Sequence, residues 1–252
     1  MPNRNIDRTT KMTDRNQILE EDIKRVLAEL KDRKIHRGRS ERRLWAWRLT
    51  VRLSYVLKRS FDIVFSALAL VLLFPLFLVV AILIKATSRG PVFFVQIRVG
   101  KYGRPFPFYK FRSMYRDAEK RKAELLAQNQ SADGVIFKMK KDPRITPIGR
   151  IIRRTSIDEL PQFLNVFFGD MSLVGPRPPV PAEVSQYSLE DRKRLMVKPG
   201  LTCLWQVSGR SDIPFKQQVR LDKEYIRSQS LWRDLLILLR TVPAILSGKG
   251  AY

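Results

Sequence analysis

From Phe61 to Ile84 the chain is nearly continuous Phe, Leu, Val, Ile and Ala, with Asp62 as its only charge, at the very edge. An α-helix of that length extends roughly 36 Å, against a hydrocarbon core of roughly 30 Å, so the segment is expected to enter a bilayer. Pro75 sits near its middle, where a missing N–H and a ring clash kink or break a helix. Both flanks are basic, with Lys58 and Arg59 before and Lys85, Arg89, Arg98 and Lys101 after. The positive-inside rule therefore prefers neither end. A hairpin that enters, turns at the proline and leaves by the same face satisfies both facts; a kinked single-pass helix does so too.

Upstream, Leu19, Ile23, Val26, Leu27 and Leu30 recur at helical spacing, which predicts a helix from about Asp14 to Asp32 with one apolar stripe. Between Arg42 and Arg59, Trp45, Trp47 and Tyr55 interleave with Arg43, Arg48, Arg52 and Lys58, a pattern suited to the headgroup layer. Downstream, VFFVQIRVG and PFPFYKFRSM flank KYGR and predict two short strands around a glycine-containing turn. Ser113 is a candidate cap for a helix from about Met114 to Gln128. From Thr146 short helices alternate with proline turns. Lys198-Pro199-Gly200 fits a type II turn, and Leu231 to Ser247 reads as an amphipathic helix with Arg233, Asp234 and Arg240 on its polar side.

Composition narrows the chemistry. Of 252 residues, 48 are Lys or Arg against 24 Asp or Glu, a net charge of +24 that calls for anionic company: phosphate, anionic lipid or nucleic acid. Cys203 is the single cysteine, so an internal disulfide and thiolate metal clusters are excluded. The single histidine, His36, lies in a basic stretch, which argues against a Ser-His-Asp triad or a histidine base in the body of the chain. There is no Walker A sequence and no GxGxxG. Any catalysis then falls to carboxylates and cations.

The segment GRIIRRTSIDELPQFLNVFFGDMSLVGPRPP, residues 149–179, carries the strongest candidates. Pro161 is tolerated only in a first helical turn, so the helix through Phe168 is expected to begin near Ile157 or Asp158. Asp158 and Glu159 would then sit at a helix N-terminus, where free N–H groups favour an ionised carboxylate and a bound phosphate. An ionised aspartate is a competent nucleophile toward phosphorus, and adjacent carboxylates are hard ligands for Mg²⁺. Arg153 and Arg154 precede the pair. Arg177, between Pro176 and Pro178, is a rigidly held guanidinium able to clamp phosphate oxygens.

Read together, KRSFDIVFSALALVLLFPLFLVVAILIKATSRGPVFFVQIRVGKYGRPFPFYKFRSM, DPRITPIGRIIRRTSIDELPQFLNVFFGDMSLVGPRP, KPGLTCLWQVSGRSD and LDKEYI resemble the bacterial sugar transferase family, the monotopic polyprenyl-phosphate phosphoglycosyl transferases. The resemblance runs from about Lys58 to Tyr252. It implies an α+β fold: a re-entrant membrane helix hairpin at 58–89, and a small, mostly helical cytoplasmic catalytic domain at 90–252 with a short β-hairpin and amphipathic interfacial helices. Residues 1–57 would be a basic extension.

The resemblance also implies a Mg²⁺-dependent transfer of a sugar 1-phosphate from a UDP-sugar to polyprenyl (undecaprenyl) phosphate at the inner face of the bacterial cytoplasmic membrane. Asp158 would attack the phosphate next to the sugar and expel UMP, with Glu159 as its metal-site or acid-base partner. Arg153, Arg177 and Arg210 match the family's phosphate-binding positions; Lys110 and Arg112 are further contacts, and Asp222 and Asp234 supporting carboxylates. The TCLWQVSGRS wording is similar to members that use glucose or galactose in exopolysaccharide assembly. Partners would be membrane lipids and not nucleic acid, and the 14–32 helix permits a homodimer. The sequence departs from the family at Phe74, where members usually have Ser before the proline, and at Cys203, where many have Gly. The contrasting reading is an anchored basic module that binds anionic lipid or nucleic acid without chemistry.

Overall fold

The structure, a computed structural model, describes residues 37–125, 139, 142–209 and 213–247. The expected helix at 14–32 lies outside the described residues. The chain separates into two compact units, Met1–Leu53 and Ser54–Tyr252, and the candidate site belongs to the second.

The apolar run forms the core of one long helix, α1, Arg37–Thr87, which is helical throughout with Pro75 inside it. Where the sequence placed a bend or reversal, the helix continues without a loop. Its side chains explain why one missing hydrogen bond is tolerated. Asp62, Ser66, Val80 and Ile84 are buried, and Ala69, Leu70, Leu73, Leu76 and Phe77 are partly buried against the rest of the unit. These positions recur every three or four residues, so a single stripe is seated before and after the proline alike. The opposite side, including Val64, Leu68, Val71, Leu72, Leu78 and Ile82, is exposed and equally apolar. A helix apolar on the face it does not bury needs lipid or another apolar partner there. Trp47–Thr87 is long and apolar enough to cross a membrane.

The predicted hairpin is present: β1, Phe93–Val99, pairs antiparallel with β2, Pro105–Phe111, in a register that sets Arg98 opposite Phe106 and Phe94 opposite Lys110. The helix expected from Met114 starts later, at Ala118, as α2, Ala118–Leu125. Met114 is held instead in a bridge to Ile145, and the Ser113 carbonyl accepts from Thr146 N–H at 3.0 Å, so this stretch stays extended. Thr146 caps α3, Pro147–Arg154, accepting from Gly149 N–H.

A 3₁₀ turn, Ile157–Glu159, precedes α4, Gln162–Phe168, with Pro161 at its N-cap. β3, Ser172–Val174, pairs parallel with β4, Gly200–Thr202. Gly200 is therefore a strand residue without the positive φ that a type II turn at 198–200 would require. Its lack of a side chain serves a close approach: a Cβ there would lie 2.0 Å from Gly175 N.

Two short helices, α5 (Pro181–Val184) and α6 (Leu189–Arg192), lie between β3 and β4 in sequence; α7 (Phe215–Arg227) and α8 (Leu231–Ser247) follow. The main core joins Phe106, Phe108, Phe163, Val166, Leu173, Tyr225 and Ile237 from β2, α4, β3, α7 and α8. On α8 the expected polar side is split: Arg240 is exposed but Asp234 is buried, as is Ile237, while Trp232, Leu235, Leu239 and Val242 are exposed. The tertiary fold takes the carboxylate inward because partners await it there.

Candidate active site

Asp158 and Glu159 sit on the 3₁₀ turn between α3 and α4, reached through Ser156, whose φ of 58° is one of two positive values among the described non-glycine residues. A left-handed serine is a small strain that turns the chain sharply, so that the carboxylates point back toward β2. Lys110 of β2 donates to Glu159 Oε1 at 2.7 Å and lies 3.7 Å from Asp158 Oδ2. Arg177, on the loop after β3, donates to the same Glu159 oxygen at 3.1 Å. Arg153, in the last turn of α3, adds favourable charge near Asp158 without an ion pair among the described residues.

The two acids are displaced in opposite directions. Burial pushes the Asp158 carboxyl above the usual carboxylate range, and the Glu159 charge acts the same way; Lys110, Arg153 and Arg177 offset only part of this. Glu159 also feels burial, but Lys110 and Arg177 outweigh it and hold the carboxyl well below that range. Glu159 is thus fixed as an anion by two cations, while Asp158 keeps its oxygens largely uncommitted. A buried, lightly paired carboxylate beside cations is an arrangement that can attack an electrophilic phosphorus.

Other sequence candidates go elsewhere. Arg112 closes the end of α1: its guanidinium donates to Ser88 O at 2.8 Å, Ser88 Oγ at 2.7 Å and Arg89 O at 3.1 Å. Asp234 accepts from Tyr225 Oη at 2.7 Å and pairs with Lys58, so it anchors α8 to α1. Asp222 pairs with Arg194 at 2.5 Å, and that guanidinium lies near the rings of Tyr187 and Phe215. Arg210 lies outside the described residues. Among the described residues no three His, Cys, Asp or Glu side chains gather to hold a metal by themselves.

Three positions carry roles that the sequence did not single out. Lys58 also donates to Val174 O at 3.2 Å, and Asp62 accepts from Ser172 Oγ at 3.1 Å and Leu173 N–H at 2.9 Å, fixing β3 to α1. A lone carboxylate at the edge of an apolar run was the available signal for Asp62. Arg98 reaches the neighbourhood of Arg177; alternation along β1 places it on the face of Phe108 and Lys110.

The bacterial sugar transferase family model matches residues 53–248. The chain belongs to the bacterial sugar transferase family. Over 163 residues it is 55% identical to the galactosyl transferase CpsE of Streptococcus agalactiae, covering 64% of this chain and 36% of that protein. Over 208 residues it is 46% identical to the undecaprenyl-phosphate galactose phosphotransferase of Salmonella typhimurium, covering 81% of this chain and 43% of that one. It spans less than half the length of these two relatives. With the UDP-glucose:undecaprenyl-phosphate glucose-1-phosphate transferase of Caulobacter vibrioides, identity is 40% over 248 residues, 93% of this chain and 87% of the relative.

Proposed function

We propose that this family member transfers a hexose 1-phosphate from a UDP-sugar to undecaprenyl phosphate and releases UMP, as the first membrane step of exopolysaccharide or related glycoconjugate assembly. The observation that carries the reading is Asp158, buried at the carboxylate–cation cluster of Lys110, Glu159 and Arg177. The seating of α1 on the same unit brings an apolar helix to that cluster, as a lipid-linked acceptor requires.

In the first half-reaction an Asp158 Oδ forms a bond to the phosphorus bearing the sugar. The bond from that phosphorus to the bridging oxygen breaks, and UMP departs with the oxygen and the electron pair. In the second, an oxygen of polyprenyl phosphate attacks the same phosphorus. The acyl–phosphate bond breaks, the carboxylate is regenerated, and a polyprenyl diphosphosugar leaves. Lys110 and Arg177 neutralise charge on the non-bridging oxygens, and Glu159 holds those cations in place. Asp158 and Glu159 would be the residues to hold a Mg²⁺, an ion that commonly takes only one or two protein carboxylates. When bound it would supply Lewis-acid neutralisation of the diphosphate.

We read α1 as entering the bilayer from the cytoplasmic side without crossing it, a continuous helix bent at Pro75 and not a loop-interrupted hairpin, because residues on both sides of Pro75 pack on the one catalytic body. The relatives' names divide between galactose and glucose, and these two hexoses lead the substrate panel. The test is UMP release from UDP-glucose, UDP-galactose and their N-acetyl counterparts by the full chain in nanodiscs with Mg²⁺ and undecaprenyl phosphate. Wild type should release UMP with one of them and carry a hexose-phosphate adduct on Asp158 by mass spectrometry. Asp158→Asn should do neither. Equal release by wild type and Asp158→Asn would exclude the covalent route.

A further inference from the structure

Arg98 is a cation at this site that forms no ion pair among the described residues; Glu183 and Glu159 act on it only from a distance. Its guanidinium makes one hydrogen bond among the described residues, from Nη1 to Pro178 O at 3.1 Å, and its buried Nε has no partner. The guanidinium carbon lies 5.2 Å from the centre of the Phe108 ring, and Lys110 Nζ lies 5.6 Å from the same centre. The hairpin register explains this convergence: Arg98 opposes Phe106, and Phe106, Phe108 and Lys110 alternate along one face of β2. The Pro178 bond sets Arg98 one residue from Arg177, whose charge it feels. Lys110 and Arg177 are both engaged by Glu159, whereas Arg98 is held rigidly with donors to spare. Burial, then the neighbouring Arg177, push its pKa down to about 10, with Glu183 and Glu159 offsetting only part of this.

We propose that Arg98 is a phosphate-binding residue of this site, donating to a non-bridging oxygen of the diphosphate alongside Arg177. The assignment rests on the diphosphate-cleaving reading above and adds a residue to it. Substrate then supplies the negative charge that relieves the repulsion between the two guanidinium groups.

The test uses inorganic pyrophosphate as the probe, titrated calorimetrically into the full chain in nanodiscs, with melting temperature and UMP release measured on the same preparations. Arg98→Gln should weaken pyrophosphate binding about 10- to 100-fold, the loss of one charge-assisted hydrogen bond. Arg98→Lys should recover part of the affinity, and both should melt within a few degrees of wild type. Tight binding without UMP release in wild type would overturn the transferase reading and leave Arg98 as an anion ligand. If Arg98→Gln folds and binds pyrophosphate like wild type, the proposal is wrong. If it only melts earlier, with affinity unchanged in the folded fraction, Arg98 is a brace for the Pro178 loop and the proposal is equally wrong.

Discussion

Asp158 and Glu159 are adjacent acids in different electrostatic states, and the difference sets the pH dependence expected of the reaction. Glu159 stays ionised because Lys110 and Arg177 hold it so; Asp158 must lose its proton before it can attack. The acid limb of the rate profile should therefore belong to Asp158 and lie above the ordinary 3.8 of an aspartate. Glu159→Gln removes a like charge and releases two cations toward Asp158, so the limb of the residual UMP release should move to lower pH. An unmoved limb would assign it to another group. Asp222 gives a stability counterpart. Burial raises its pKa from 3.8 to about 6, with Arg194 opposing. A raised folded value means that the associated stability is fully present below pH 3.8, falls as pH rises toward 6, and is level beyond. That difference amounts to about 3 kcal/mol. Urea melts from pH 4 to 7 should show this decline in wild type and not in Asp222→Asn.

At the scale of elements, the two cations around Glu159 stand on segments tied to opposite ends of α1's seated stretch. Lys58 holds Val174 O, three residues before Arg177, and Arg112 binds Ser88 and Arg89 two residues after Lys110 on β2. Arg112→Gln should leave carbonyls at the end of α1 without charged donors and cost about 1.5–3 kcal/mol in denaturant melts. UMP release should fall with it, because Lys110 shifts. The β3–β4 pair carries a second constraint. A Cβ at Gly200 would lie 2.0 Å from Gly175 N and 2.5 Å from Gly175 O, both backbone atoms that cannot swing aside. Gly200→Ala should cost about 3 kcal/mol or more and displace the Arg177 loop. A melting temperature like wild type's would show that the strands separate easily.

For the whole molecule, net charge and apolar surface make separable claims on the membrane. A charge of +24 attracts anionic lipid, but salt near 1 M screens that attraction beyond about 3 Å. The exposed apolar side of α1 and the outward Trp232, Leu235, Leu239 and Val242 of α8 are unaffected by salt. Membranes carrying the full chain should therefore retain it through a high-salt wash and release it to detergent. Release by salt alone would mean that charge, not burial of α1, holds it.

Local pattern determined the elements whose signal is local. The apolar run of α1 and the alternating strands of β1 and β2 were legible, because hydrophobic period acts over a few residues; the helix expected from Ile157 or Asp158 instead begins at Gln162, after a separate 3₁₀ turn at Ile157–Glu159. The Asp158–Glu159 pair and Arg177 were legible as charges beside rigid backbone. What sequence order could not fix was which distant groups meet. That Lys110 and Arg177 converge on one oxygen of Glu159, that Arg112 and Asp234 turn away to brace α1, and that Arg98 shares the Phe108 ring with Lys110 depend on strand register and on α1 lying along the catalytic unit. Such pairings join different elements of the chain and are selected by packing of the whole core, where a buried charge is stable only if another segment brings its partner.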